Sequence, residues 1–202
     1  MSKFMESIKK VEDTTSGYTQ EMSDWSEART SKHIGFVRGF IDKLPDMIPS
    51  EKEDRKRNHD QSKFKSPEYE PYIWINWKYK CLDDGVNFDD YNPPSDLADQ
   101  MNTATHHHIT NNTHHPEYHS PDQTDLLNRD DRDKPPEKMV DATAMPDGDI
   151  MEMCCDWAGM SQERGGDPSD WAKKNVNVRW KFDKEQEALI YSTLDAIWET
   201  EK

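Results

Sequence analysis

Eight histidines occur in the 202-residue chain, and six of them fall between positions 106 and 119. The other two are His33 and His59, and His59 is followed at once by Asp60. Imidazole nitrogens and carboxylate oxygens together make a ligand set for divalent transition metals. Four residues of these two types stand out by position: His33, His59, Asp60 and Asp156. Each is polar, yet each sits on a predicted buried face or at the end of a different predicted helix. A metal held inside a helix bundle needs this arrangement, with imidazoles and carboxylates converging from several helices. A buried carboxylate without a partner is costly, and coordination removes that cost. Neighbours on a helix diverge by about 100°, so His59 and Asp60 reach one ion only at a helix end or kink. The charged run Glu51–Arg57 stops at Asn58 and supplies such an end. Lys63 follows Asp60 by three positions, which puts an ammonium near the ion and lets a phosphate bridge the two.

These residues need a scaffold, and the hydrophobic periodicity predicts a helical one. Ile34, Val37, Ile41 and Leu44 mark a helix capped by Thr30 or Ser31 and ended by Pro45. His33 lies on its buried side. Residues 1–28 read as an N-terminal arm or short helix, and 29–202 as the domain. Ser66-Pro67-Glu68 reads as a cap with proline at the first helical position. The helix after it carries Tyr69, Tyr72, Ile73, Trp74, Trp77 and Leu82 and is closed by Gly85. Another helix starts at Ser95 or Asp96 and carries the histidine cluster as far as Pro116. His108 and His115 share a face if that helix reaches them, as do His114 and His107. His106 and His119 are expected to face solvent. Residues 117–144 read as a long polar loop of the kind that forms a lid or moves. Later helices run from Met145-Pro146-Asp147 to Gly165, from Asp167-Pro168 through Trp171, and from a capping box of Asp183 with Gln186. One short strand is expected within Val176–Trp180. The fold class predicted is an all-α, single-domain bundle of about six or seven helices.

Composition narrows the function. The formal charge is −15, with 41 acidic against 26 basic residues. A polyanion would meet a like-charged surface, so a nucleic-acid polymer is not an expected partner. No apolar run reaches the length of about 18 residues that a spanning helix needs, so no membrane partner is expected either. Seven Trp, seven Tyr and six Phe argue against a disordered chain. Cys81, Cys154 and Cys155 are too few and too badly spaced for a disulfide scaffold. Met1–Glu12 has lysines but no apolar stretch behind them, so it does not read as a signal peptide. A cytoplasmic location is expected, and homo-oligomerisation is left open.

The order His33, His59-Asp60, distant Asp156, in a helical chain, resembles the HD-domain metal-dependent phosphohydrolase superfamily. Lys63, three positions after the doublet, matches a lysine that recurs there. Three longer segments carry a closer resemblance. They are His59-Asp60-Gln61-Ser62-Lys63-Phe64 with Pro67-Glu68, then His107-His108-Ile109 with Asn112 and His114-His115-Pro116-Glu117-Tyr118, then Asp156-Trp157 with Gly165-Gly166. Together they resemble an uncharacterised HD-like family of bacteria and phages, over roughly residues 30–195. The resemblance implies an HD-like fold with one divalent ion on His33, His59, Asp60 and Asp156. His108, His114 and His115 look like the extra ligands of two-metal HD proteins and form a candidate second site.

The activity implied is hydrolysis of a small phosphorylated compound, a nucleotide above others. Asp60 and Lys63 are the expected catalytic residues, with Lys63 and Arg164 contacting the substrate phosphate. The mixed nitrogen and oxygen ligands suit Mn, Fe, Co, Ni or Zn, as one or two ions. Two alternatives follow from the same residues: a di-iron HD-type oxygenase, and a non-catalytic HD-like binding module.

Overall fold

The computed structural model describes residues 17–123 and 138–198. Among these residues the chain forms seven α-helices and a single two-stranded sheet. The helices are α1 Gln20–Lys43, α2 Pro49–Asn58, α3 Tyr69–Asp84, α4 Leu97–Asn111, α5 Asp147–Arg164, α6 Pro168–Asn175 and α7 Lys184–Ile197. The protein is therefore an all-α single-domain bundle. Among the described residues, no helix is long and apolar enough to cross a membrane.

Helix α1 is the longest element and begins ten residues before the predicted cap. Thr19 caps it, accepting from the Met22 amide at 3.2 Å. Thr30 is instead a buried mid-helix residue. The boundary expected at residue 28 thus falls inside a continuous helix. Polar Ser23, Ser26 and Thr30 face inward and bind other polar groups, which hid this half from hydrophobic periodicity. Most of the expected arm, residues 1–16, lies outside the described residues.

Helix α1 packs against two layers. Val37, Phe40, Ile41 and Leu44 join Ile150, Met153, Cys154 and Ala158 of α5 and Ile190, Leu194 and Ile197 of α7. On its other half, Met22 meets Ile73, Trp74 and Trp77 of α3 and Leu97 of α4. Six consecutive α3 residues, Tyr72–Trp77, are buried, as the all-round aromatic pattern implied. Leu82, expected in that core, is 67% exposed. Ser66-Pro67-Glu68 does not open α3. The Ser66–Pro67 peptide is cis, and the helix starts at Tyr69.

Parallel strands β1 Val140–Asp141 and β2 Trp180–Lys181 pair beside this bundle. The expected strand at Val176–Trp180 is thus displaced, with Val176 and Trp180 joined only by a bridge. Residues 116–119 form a short 3-10 turn and 140–141 a strand, so the predicted loop at 117–144 is partly structured. Its central part, 124–137, lies outside the described residues. The last helix has the predicted capping box, with the Gln186 amide donating to Asp183 at 2.8 Å.

Candidate metal centre

Four elements deliver the candidate ligands. His33 lies at mid-length on α1, pointing at α5, where Asp156 Oδ1 lies 2.8 Å from its Nε2. The two helices approach closely because α5 has Gly159 at the crossing. A Cβ there would lie 2.9 Å from Val37 Cγ2 and 3.4 Å from His33 Cε1. The doublet comes from the end of α2. His59 is its C-cap, and Asp60 follows in the left-handed region at φ 59°. That reversal breaks the helical divergence and turns both side chains into the bundle, where each is 1% exposed.

His108 is buried in the last turn of α4. His114 and His115 do not continue that helix, as the face-sharing arithmetic assumed. Helix α4 stops at Asn111, and Asn112 adopts extended backbone while its Nδ2 donates to the His108 carbonyl at 2.8 Å. Asparagine side chains compete in this way with helical bonding. The turn that follows folds His114 and His115 back onto His108, with ring centroids 6.0 and 4.8 Å from it. Glu117 anchors the turn, accepting from Trp180 Nε1 at 2.8 Å, and Trp180 stacks on Trp157 of α5.

Three overlapping ligand groups result among the described residues. Atoms of His33, His59, Asp60 and Asp156 lie within 4.8 Å of one another, as do atoms of His108, His114 and His115, and atoms of His59, His114 and Glu152. Asp60 stands between the first two. Its Oδ2 lies 3.8 Å from Nε2 of both His33 and His59. Its Oδ1 lies 3.2 and 3.6 Å from Nε2 of His108 and His114. Among the described residues, Nε2 of His59, His108, His114 and His115 and Oδ1 of Asp60 are buried without a hydrogen-bond partner. Each such atom costs about 1–3 kcal/mol unless something binds it. Five lone-pair atoms aimed into a common region fit divalent cations, and the imidazole-rich set fits Mn, Fe, Co, Ni or Zn better than Ca.

The outward nitrogens are held by carboxylates that hydrophobic periodicity did not single out. His59 Nδ1 lies 2.9 Å from Glu152 Oε1. Glu68 is fully buried and takes His108 Nδ1 at 2.9 Å and His107 Nδ1 at 2.7 Å. Arg55 in turn donates to Glu152 and Asp149, both at 2.7 Å. Such partners fix ring orientation and leave the inner nitrogen free to ligate. The available signal for Glu152 was its place four residues before Asp156, on the same α5 face. A cavity of about 370 Å³ opens beside His59 and His114, bordered by Arg55, Asp149 and Glu152.

Electrostatics follow from this packing. Burial alone raises the Asp60 carboxyl, but the charges of Lys63, His59 and His108 hold it well below the usual carboxylate range. Asp156 is likewise low, because its hydrogen bond to His33 and the nearby His33 and His114 imidazoles override its burial. Burial lowers His59, yet the Asp60 charge and the Asp156 and Glu152 carboxylates raise it to about 10. Burial and the neighbouring His59 charge push His114 down to about 4.

Lys63 places its Nζ 2.6 Å from Asp60 Oδ2 and 5.2 Å from the Tyr72 ring centroid. Arg164 does not join the site. It lies two helical turns beyond Asp156, about 12 Å along the axis, with its guanidinium over Tyr79. His106 and His119 are not solvent-facing as expected. His106 is half-buried and bonds the Gln123 carbonyl, while His119 is 9% exposed and packs beside Asp149 at 3.4 Å.

A family model described as "Family of unknown function (DUF5662)" matches residues 22–196. No curated protein and no solved structure matches the chain.

Proposed function

The chain belongs to the DUF5662 family, and we propose that it is a metal-dependent phosphohydrolase acting on a small phosphorylated compound, a nucleotide above others. The observation that carries this reading is the set of five buried, unbonded ligand atoms around Asp60. The resemblance of His33, His59-Asp60, Lys63 and Asp156 to HD-domain phosphohydrolases supports the same reading.

His33, His59, Asp60 and Asp156 would hold one ion. His108, His114 and His115 would hold a second, with Asp60 offering one oxygen to each. When bound, such ions supply Lewis acidity to a phosphoryl oxygen and a more acidic water. The chain's own residues do the remaining work. Lys63, kept cationic by the Asp60 charge despite its burial, offsets negative charge developing on the phosphoryl group. Glu68 and Glu152 keep the imidazoles aimed inward. The acidic surface gives no long-range attraction to a phosphate ester, so capture depends on the ions and Lys63.

A second reading is favoured by one observation. The second group offers three imidazoles, a donor set that suits redox-active iron as well as zinc. A di-iron oxygenase would use the same residues. Metal analysis of the purified protein, with phosphate release from nucleoside phosphates and simple esters in Mn, Co or Ni, separates the two. The hydrolytic reading expects phosphate release that Asp60→Ala abolishes while helix content stays. Two irons per chain with oxygen consumption and no phosphate release would replace it with the oxidative one.

A further inference from the structure

Three of the buried imidazoles and the half-buried His107 have a carboxylate against Nδ1. For His59 it is Glu152, and for His108 and His107 it is Glu68; His114 Nδ1 lies 3.6 Å from Glu152. His33 is different. Among the described residues its buried Nδ1 has no hydrogen-bond partner, and neither has the buried Oε2 of Glu163, which faces it from α5 at 3.9 Å. Two complementary orphan atoms thus stand opposite each other, about 1 Å short of a charge-assisted bond. The gap is too short for an intervening water. Glu163 itself is held firmly: Arg29 Nε donates to its Oε1 at 2.7 Å. Arg29 is fixed in turn by Asn76, which bonds Ser26 of α1.

We propose that Glu163 is the positioning residue for His33, closing a hydrogen bond to Nδ1–H when His33 Nε2 becomes a metal ligand. The inference rests on the metal-centre reading. His33 Nε2 now faces Asp156 Oδ1 at 2.8 Å. A ligating Nε2 carries no proton, so the ring's N–H is then at Nδ1, which faces Glu163 Oε2. Closing that bond satisfies both orphans at once and locks the ring plane towards Asp60 and Asp156. Outer partners of this kind are worth about 10–100-fold in metal affinity. Arg29 serves the same end by reserving Oε1, so that Oε2 is the oxygen left for His33.

The test is a cobalt or zinc titration of the metal-free 202-residue chain by calorimetry. It compares wild type with Glu163→Ala and Glu163→Gln. A ¹H–¹⁵N spectrum of the zinc-loaded protein reads the His33 ring proton. Glu163→Ala should weaken the tighter or weaker of two binding phases by about 10–100-fold and leave the other unchanged. Glu163→Gln, which keeps the shape but has one acceptor oxygen for two donors, should fall between. The Nδ1–H signal of His33 should be protected in wild type and lost in Glu163→Ala. Wild-type affinity in both variants overturns this inference alone, and so does weakened binding with an unchanged His33 signal. Wild type that binds no metal overturns the metal-centre reading with it.

Discussion

His114 and His59 touch, at 4.4 Å between ring centroids; burial lowers both, yet the carboxylates around His59 carry it up while its charge pushes His114 further down. His114 takes a proton in the unfolded chain below about pH 6.5, but in the folded chain only below about 4. Its stabilising contribution is therefore present above pH 6.5 and lost as pH falls. Over pH 7 to 5 that loss is about 2 kcal/mol. His59 has the reverse sign. Its contribution is full below pH 6.5 and disappears as pH rises through about 10. Metal-free His114→Asn should therefore lose about 2 kcal/mol less stability than wild type between pH 7 and 5. Urea unfolding at the two pH values measures this, and equal losses in both proteins would contradict it. The His-Asp doublet and Asp156 were visible in the sequence because their types are rare on apolar faces. Glu152 and Glu163 were not, and Glu68 was read only as part of a helix start, since glutamate is so common on helices in this acidic chain that only its contacts distinguish it.

Two elements set the ligand spacing, and each has a substitution that tests it. Gly159 admits α1 against α5. Gly159→Ala puts a methyl 2.9 Å from Val37 Cγ2, so the Val37 side chain or one of the helices must give way. The expected cost is about 1–3 kcal/mol, with weaker metal binding at His33 and Asp156, read by denaturant unfolding and metal titration. Glu117 ties the His114–His115 turn to Trp180. Glu117→Ala leaves a buried indole N–H unpaired, for about 1–3 kcal/mol, and should loosen metal binding at His108, His114 and His115 while sparing the other group. Equal weakening of both groups would show that the turn does not act locally. Helices α3, α5 and α7 were legible because Gly85, Gly165 and the Asp183 box bound their apolar patterns. The first half of α1 was not, because serines and threonines occupy its inward face. The end of α4 was not either: its histidines are at helical spacing, but Asn112 ends the helix before the spacing applies.

At the scale of the molecule, the candidate ligands join α1, the end of α2, α4 with its following turn, and α5. An ion held there clamps both halves of the core. Metal at about a hundredfold over its Kd should add about 2.7 kcal/mol, or about 5–10 °C in Tm for a domain of this size. Scanning calorimetry before and after chelation checks this, and a Tm indifferent to chelator would argue that the side chains hold no ion. The same layout has a consequence for the chain as it is made. His33 and its partner Asp156 are 123 residues apart in sequence. At about 5–20 residues per second of synthesis, α1 leaves the ribosome about 6–25 s before α5 can join it. Through that interval the inward face of α1 must wait beside α2, α3 and α4 without α5, with His33 exposed to whatever metal or chaperone is at hand.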